Sequence, residues 1–182
     1  MKKIILIPTL IFPFLILFIL ISLFISSSVP AFNEMWENLF SNNVYVALGM
    51  ILILFVLIMI INVIYLIVGM KNKYDVKELA KSLMIIKLIQ IPAYIGIFII
   101  GALCLLTIFT LPIVLFLFFL DCLCVILTGV LLLLVIVRSK QEEAIFPIEA
   151  IAYSLLSFCF VLDVIASIML FIRNLKNVSN IN

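Results

Sequence analysis

The sequence predicts an all-α integral membrane protein: a helical bundle of about five transmembrane helices, N-terminus in and C-terminus out. Three observations carry this. Hydrophobic residues make up 68% of the 182 residues, against about 45–50% in soluble globular domains, and the mean hydropathy is +1.52. Apolar runs recur at the length, about 20 residues, that a helix needs to cross ~30 Å of hydrocarbon. Lysine and arginine gather between alternate runs. A soluble fold needs polar side chains to cover its surface, and here they are too few; lipid removes that need.

The spans fall at about 4–26, 44–68, 84–107, 111–137 and 148–172, in a single membrane domain over residues 1–182. Ile4–Ser26 is the first run. A rival reading makes it a secretory signal, since "MKK", an apolar stretch and "SSSVPA" put Val29 and Ala31 at cleavage-site positions. The stretch is longer than such signals usually are, and Pro30 adjoins the would-be scissile bond. Segment 27–43 forms the exterior loop, where Phe32, Trp36, Leu39 and Phe40 recur at helical spacing. That pattern predicts a short helix in the outer interface, where Trp is favoured.

Val44–Val68 is the second span. The cytoplasmic loop 69–83 ends in a helix start, because Asp75 followed by Glu78 reads as an N-cap with its capping-box partner. Pro92 should kink the third helix. From Leu88 to Val137 the only charge is Asp121, so this stretch holds two crossings, with a corner at "TIFTLP", Thr107–Pro112. Pro112 suits the first turn of a new helix. The second cytoplasmic loop is 138–147, after which Pro147 and Glu149 suit the first turn of the fifth helix.

Orientation follows from the cations of short loops, which stay on the cytoplasmic side. Lys2, Lys3, Lys71, Lys73, Lys77, Lys81, Arg138 and Lys140 share one side; only Arg173 and Lys176 disagree.

Two acids lie inside apolar runs. "FLFFLDCLCVIL" holds Asp121, and "FCFVLDVIASI" repeats the arrangement around Asp163. With five spans both fall at nearly one level in the outer half of the bilayer, facing each other on consecutive helices, with no Lys or Arg at that depth. An intramembrane carboxylate costs about 2.5–3.5 kcal/mol on insertion scales, so each should point into the bundle. Asp121 and Asp163 are the candidate intramembrane polar site, as a proton- or cation-binding pair. The plain alternative is neutral acids that fix helix packing, hydrogen-bonded with Thr107, Thr110, Ser157 or Ser167. A weaker cluster, Asn62, Lys87 and Gln90, lies nearer the cytoplasmic boundary, where Lys87 can snorkel to the interface.

Enzyme chemistry has little to stand on. The chain has no histidine, which removes Ser-His triads, H-E-x-x-H zinc sites and a His general base. "QEEAIF" pairs glutamates as intramembrane abortive-infection proteases do, but those also need histidines. The aspartates lack the Gly-x-Gly-Asp context of presenilin-type proteases and the Asn- and Arg-bearing boxes of lipoprotein signal peptidases. Cys104, Cys122, Cys124 and Cys159 form no CxxC pair and read as small hydrophobes. The five glycines are dispersed, so no Gly-rich loop can hold a nucleotide. No catalytic residue, metal site or cofactor is expected.

"LMIIKLIQIPAYIGIFIIGALCLLTIFTLPIVLFLFFLDCLCVILTG", residues 83–129, resembles the core of a family of small, multi-spanning, clostridial-type bacterial membrane proteins of unknown function. The resemblance runs over roughly residues 76–173 and rests on "IIKLIQIPAY" and "FLDCL". It implies a bacterial membrane module and carries over no activity and no functional residue.

The expected function is that of a non-enzymatic accessory or interaction protein of the cell membrane, such as an immunity or transporter-associated subunit. The alternative is a small ion- or proton-coupled transporter or channel built on Asp121 and Asp163. Beyond the lipid bilayer, the partners to expect are another membrane protein or further copies of the chain; a net charge of +2 gives no reason to expect nucleic acid.

Overall fold

The computed structural model describes residues 6–26, 28–106, 111–159 and 162–179. Every element among them is an α-helix: α1 (Ile7–Ile25), α2 (Pro30–Phe40), α3 (Val44–Lys71), α4 (Val76–Cys104), α5 (Leu111–Gln141), α6 (Pro147–Leu156) and α7 (Leu162–Ser179). Four of these, α1, α3, α4 and α5, are long and apolar enough to cross a membrane. The chain is an all-α membrane bundle.

The helix starts follow from local chemistry. The Asn43 side chain accepts the Tyr45 N–H (2.9 Å) at the head of α3, and Asp75 accepts the Lys77 N–H (3.3 Å) at the head of α4. Each satisfies a backbone donor that the first turn leaves free. At α6, Pro147 occupies the first turn and Glu149 reaches back to the Phe146 N–H (2.9 Å). Helix α4 runs unbroken through Pro92. The corner at Thr107–Pro112 lies mostly outside the described residues, and α5 begins at Leu111.

The helix expected in the 27–43 segment is α2. Its Trp36 turns inward: the indole N–H donates to Ser22 Oγ at the top of α1 (3.0 Å), and the ring packs on Phe40 and Ala47. Glu34, Glu37 and Asn38 are left on the exposed face.

Side-chain contacts fix the helix directions. Asn62 meets Leu127, and Gly69 faces Leu134, so α3 and α5 run parallel. Lys87 meets Thr128 and Arg138 meets Tyr74, so α4 runs against α5. Thr9 meets Gln90 and Leu17 covers Gly96, so α1 runs with α4. Helix α5 is the buried centre.

The last apolar run, read from sequence as a fifth crossing over 148–172, is two helices. Helix α6 stops at Leu156, and the turn that follows sits on the middle of α5. A side-chain carbon on Gly129 would come within 2.9 Å of the Phe158 ring and 3.1 Å of the Ser157 carbonyl oxygen. Helix α7 then comes back. Its Asn174 donates to Ser139 near the C-terminus of α5 (2.9 Å), and its Arg173 pairs with Glu149 at the start of α6 (3.2 Å). The 10 residues of α6 rise only ~15 Å, half of the ~30 Å a crossing needs.

The pair is therefore a helical hairpin that enters from one end and leaves by the same end. Where a fifth crossing was expected, the described residues give four long apolar helices and this hairpin, which brings Arg173 and Asn174 back to the end of the bundle that holds Glu149 and Ser139. The end of α7 lies at the end of the bundle where α1 starts, Leu6 packing with Leu79 and Leu83 in the cluster that also holds Leu170. The turn contains neither glycine nor proline. Ser154 and Ser157 hydroxyls bond back to the carbonyls of Ala150 (2.8 Å) and Ser154 (2.7 Å), a pattern that competes with helix continuation.

The apolar core has two main blocks. One, toward the lysine-rich end, joins Leu79, Leu83, Leu131, Val135, Tyr153 and Leu170; the other, toward α2, joins Phe12, Ile16, Ile58, Ile97, Leu120 and Leu127. Between them runs a layer of polar side chains.

Candidate functional site

The polar layer is built from one to three residues on each of five helices. On α4, Lys87, Gln90 and Tyr94 stand at positions i, i+3 and i+7, one face of the helix. On α5, Asp121, Cys124 and Thr128 repeat that spacing. Because α4 and α5 are antiparallel, Lys87 lies level with Thr128 and Tyr94 level with Asp121.

The first half of the layer is an ion pair. Lys87 Nζ donates to Asp163 and to Thr128 Oγ1 (3.1 Å). The residues are 1% and 2% exposed. A charge taken out of water is tolerated when it is paired and hydrogen-bonded, and both conditions hold. Thr128 in turn donates into its own helix at the Cys124 and Val125 carbonyls (3.3 and 3.2 Å). Asp163 stands in the first turn of α7, where the helix dipole favours a negative charge.

The second half is neutral. Thr9 Oγ1 donates to Asn62 Oδ1 (2.9 Å), and Asn62 Nδ2 donates to the Leu127 carbonyl (3.1 Å). Gln90 Nε2 donates to the Thr9 carbonyl (2.7 Å), and the Tyr94 hydroxyl donates to Gln90 Oε1 (3.3 Å). The layer thus ties α1, α3, α4, α5 and α7 together.

Several expectations change. Lys87 does not snorkel; its ammonium is the buried partner of Asp163, so a cation does stand at that depth. Asp163 and Asp121 do not share a level. Asp163 sits at the height of Thr128, and Asp121 lies seven residues along α5 from Thr128, about 10 Å along the axis. The coincidence of depth depended on a fifth crossing, and the hairpin removes it. The weaker cluster of Asn62, Lys87 and Gln90 joins Asp163 in one site. Asp121 is apart, 8% exposed, with its Oδ1 receiving no hydrogen bond among the described residues. Of its suggested partners, Ser157 and Ser167 donate within their own segments (2.7 Å each), and Thr107 and Thr110 lie outside the described residues.

Thr9, Tyr94 and Thr128 are members of the layer that sequence reasoning passed over. For Tyr94 and Thr128 the signal was the i, i+3, i+7 spacing of Lys87-Gln90-Tyr94 and Asp121-Cys124-Thr128; Thr9 has no such partner spacing in α1.

Beside the layer lies a crevice of about 470 Å³. It is lined by Ile91, Tyr94, Ile95 and Phe98 of α4, Val125 of α5, and Asp163, Val164 and Ile165 of α7. Among the described residues, it opens where α7 begins, against the middle of α4 and α5. Ile95, Phe98 and Ile165 stand on its outward rim, 53%, 69% and 46% exposed. No family model, curated protein or solved structure matches the chain.

Proposed function

We propose that the chain is a multi-pass protein of the cell membrane that works by binding and not by catalysis: an accessory protein, serving a transporter or an immunity system, that takes a lipophilic guest from the bilayer. The crevice carries this reading. Its volume of about 470 Å³ lies in the ~300–1,000 Å³ range of ligand sites, and an apolar wall with a few convergent polar groups is the usual composition of such sites. The polar layer supplies those groups and holds α4, α5 and α7, the three walls, in register.

Both chain ends face the cytoplasm in this proposal. Lys71, Lys73, Lys77, Arg138, Lys140 and Arg173 gather at one end of the bundle, which the positive-inside rule makes cytoplasmic.

Native mass spectrometry of the detergent-extracted chain tests the reading. The parent should retain a guest at one per chain, and Ile95→Trp, which fills the crevice from its lipid-facing rim, should lose it. Equal retention by both would defeat the proposal.

A second reading, a proton- or cation-coupled carrier, is favoured by one observation: the buried Asp121 Oδ1 that receives no hydrogen bond among the described residues. It requires proteoliposomes to show pH-gradient-driven uptake that Asp121→Asn abolishes. Unchanged uptake in that variant would remove it.

A further inference from the structure

Where α1 and α4 meet at the lysine-rich end, a groove of about 170 Å³ opens on the outside of the bundle. It is lined by Leu6, Ile7 and Leu10 of α1 and by Ser82, Ile85 and Ile86 of α4. Apart from the Ser82 hydroxyl, these side chains are hydrocarbon. The two helices run in the same direction, so Leu6 and Ser82 stand at the mouth and Leu10 and Ile86 lie deeper. Ile7 on one wall and Ile85 on the other are 44% and 41% exposed, which leaves the groove open along its length.

The chain above the mouth is basic. Lys81 stands one turn before Ile85 and Lys77 one turn before Lys81, along a single ridge of α4, and both are exposed. The loop that leads into α4 adds the exposed Lys71 and Lys73. Two acids share this segment. Asp75 is turned to the Lys77 N–H as the helix cap, and Glu78 stands one turn before Ser82. Helix α1 has no charged residue in its first turn. Four lysines against two acids leave the mouth positive.

An apolar groove beneath a positive mouth matches an amphiphile with an anionic head. A free phosphate would gain the lysines alone, and exposed charges in water are screened. A phosphodiester that carries its own acyl chain gains the groove as well, and the bilayer holds it at the depth of the lysines. Lysine stems can lie along apolar surface while their heads reach the phosphate plane. A zwitterionic head would bring a second cation back against Lys77 and Lys81.

We propose that this end of the α1–α4 seam binds an anionic phospholipid, with its phosphate against Lys77 and Lys81 at the mouth and the start of an acyl chain in the groove along Ile7 and Ile85. The site is separate from the crevice between α4, α5 and α7 and does not rest on it. A lysine beside an anionic lipid contributes about a fivefold preference. The two together predict roughly a twenty- to thirtyfold preference for phosphatidylglycerol over phosphatidylcholine.

The test is native mass spectrometry of the full chain, stripped of lipid in detergent and titrated with dioleoylphosphatidylglycerol, dioleoylphosphatidylcholine, glycerophosphoglycerol or inorganic phosphate. The parent should retain one phosphatidylglycerol at a concentration roughly twenty- to thirtyfold below that needed for phosphatidylcholine, and neither water-soluble phosphate should displace it in large excess. Lys77→Gln with Lys81→Gln, at exposed positions whose change should leave the helicity intact, should bring the two lipids close to equal. Ile7→Trp, which fills the groove from its rim, should weaken retention of both. Equal retention of the two lipids by the parent would overturn the proposal, as would a preference that survives in the double Gln variant. Displacement by inorganic phosphate would show an anion site that needs no lipid, and undiminished binding in Ile7→Trp would put the lipid elsewhere; either result defeats the assignment.

Discussion

Removing either partner of the Lys87–Asp163 pair should release the hairpin. In Lys87→Met the carboxylate of Asp163 faces an apolar pocket with no cation, and in Asp163→Asn the ammonium of Lys87 is stranded. Deleting one member of a buried pair leaves the other uncompensated and costs about 3–5 kcal/mol. Joint replacement, Lys87→Met with Asp163→Leu, should return close to the parent, because well-packed hydrocarbon replaces a buried pair at little loss. The assay is loss of helicity on titrating dodecyl sulfate into mixed micelles. Single variants within about 1 kcal/mol of the parent would refute the claim that this pair holds α7.

Further outcomes follow from other contacts. A C-terminal green fluorescent protein should fluoresce and a C-terminal alkaline phosphatase should be inactive, because α7 returns to the lysine-rich end; an active phosphatase would restore the five-span topology. Gly129→Ala should destabilise by about 1–3 kcal/mol, since its new carbon would stand 2.9 Å from the Phe158 ring and 3.1 Å from a backbone oxygen. Gly49→Ala, with nothing within 4 Å, should instead stabilise α3 by about 0.5–1 kcal/mol; both are read by the same titration. Asn62→Leu removes one bond to Thr9 and one to the Leu127 carbonyl, and should cost about 1–3 kcal/mol by leaving buried groups unpaired.

Most of the bundle was legible because the features that mark a membrane helix are local. Length, apolarity and end caps placed α1, α3, α4 and α5, and the aromatic spacing of Phe32, Trp36 and Phe40 placed α2. The hairpin was not legible by the same means, because residues 148–172 satisfy the length rule and their turn has no glycine or proline to announce it. Yet the information was present in a non-local form. Asp163 needed a cation, and the nearest apolar-run cation was Lys87, which a fifth crossing would have put at another depth. Arg173 and Lys176 broke the positive-inside rule only if the last run crossed. Gly129 had no reason in its own helix, since its reason is the Phe158 ring and the Ser157 carbonyl laid against it. Each anomaly was small alone, and each had a bland local account: a neutral acid, a snorkelling lysine, a tolerated tail. One change of topology removes all of them. A half-depth hairpin brings Asp163 to Lys87, returns Arg173 to Glu149 and seats the turn on Gly129. The site therefore belongs to the chain's topology more than to any one motif: its two ionised residues stand 76 positions apart, and only the turn-back makes them neighbours.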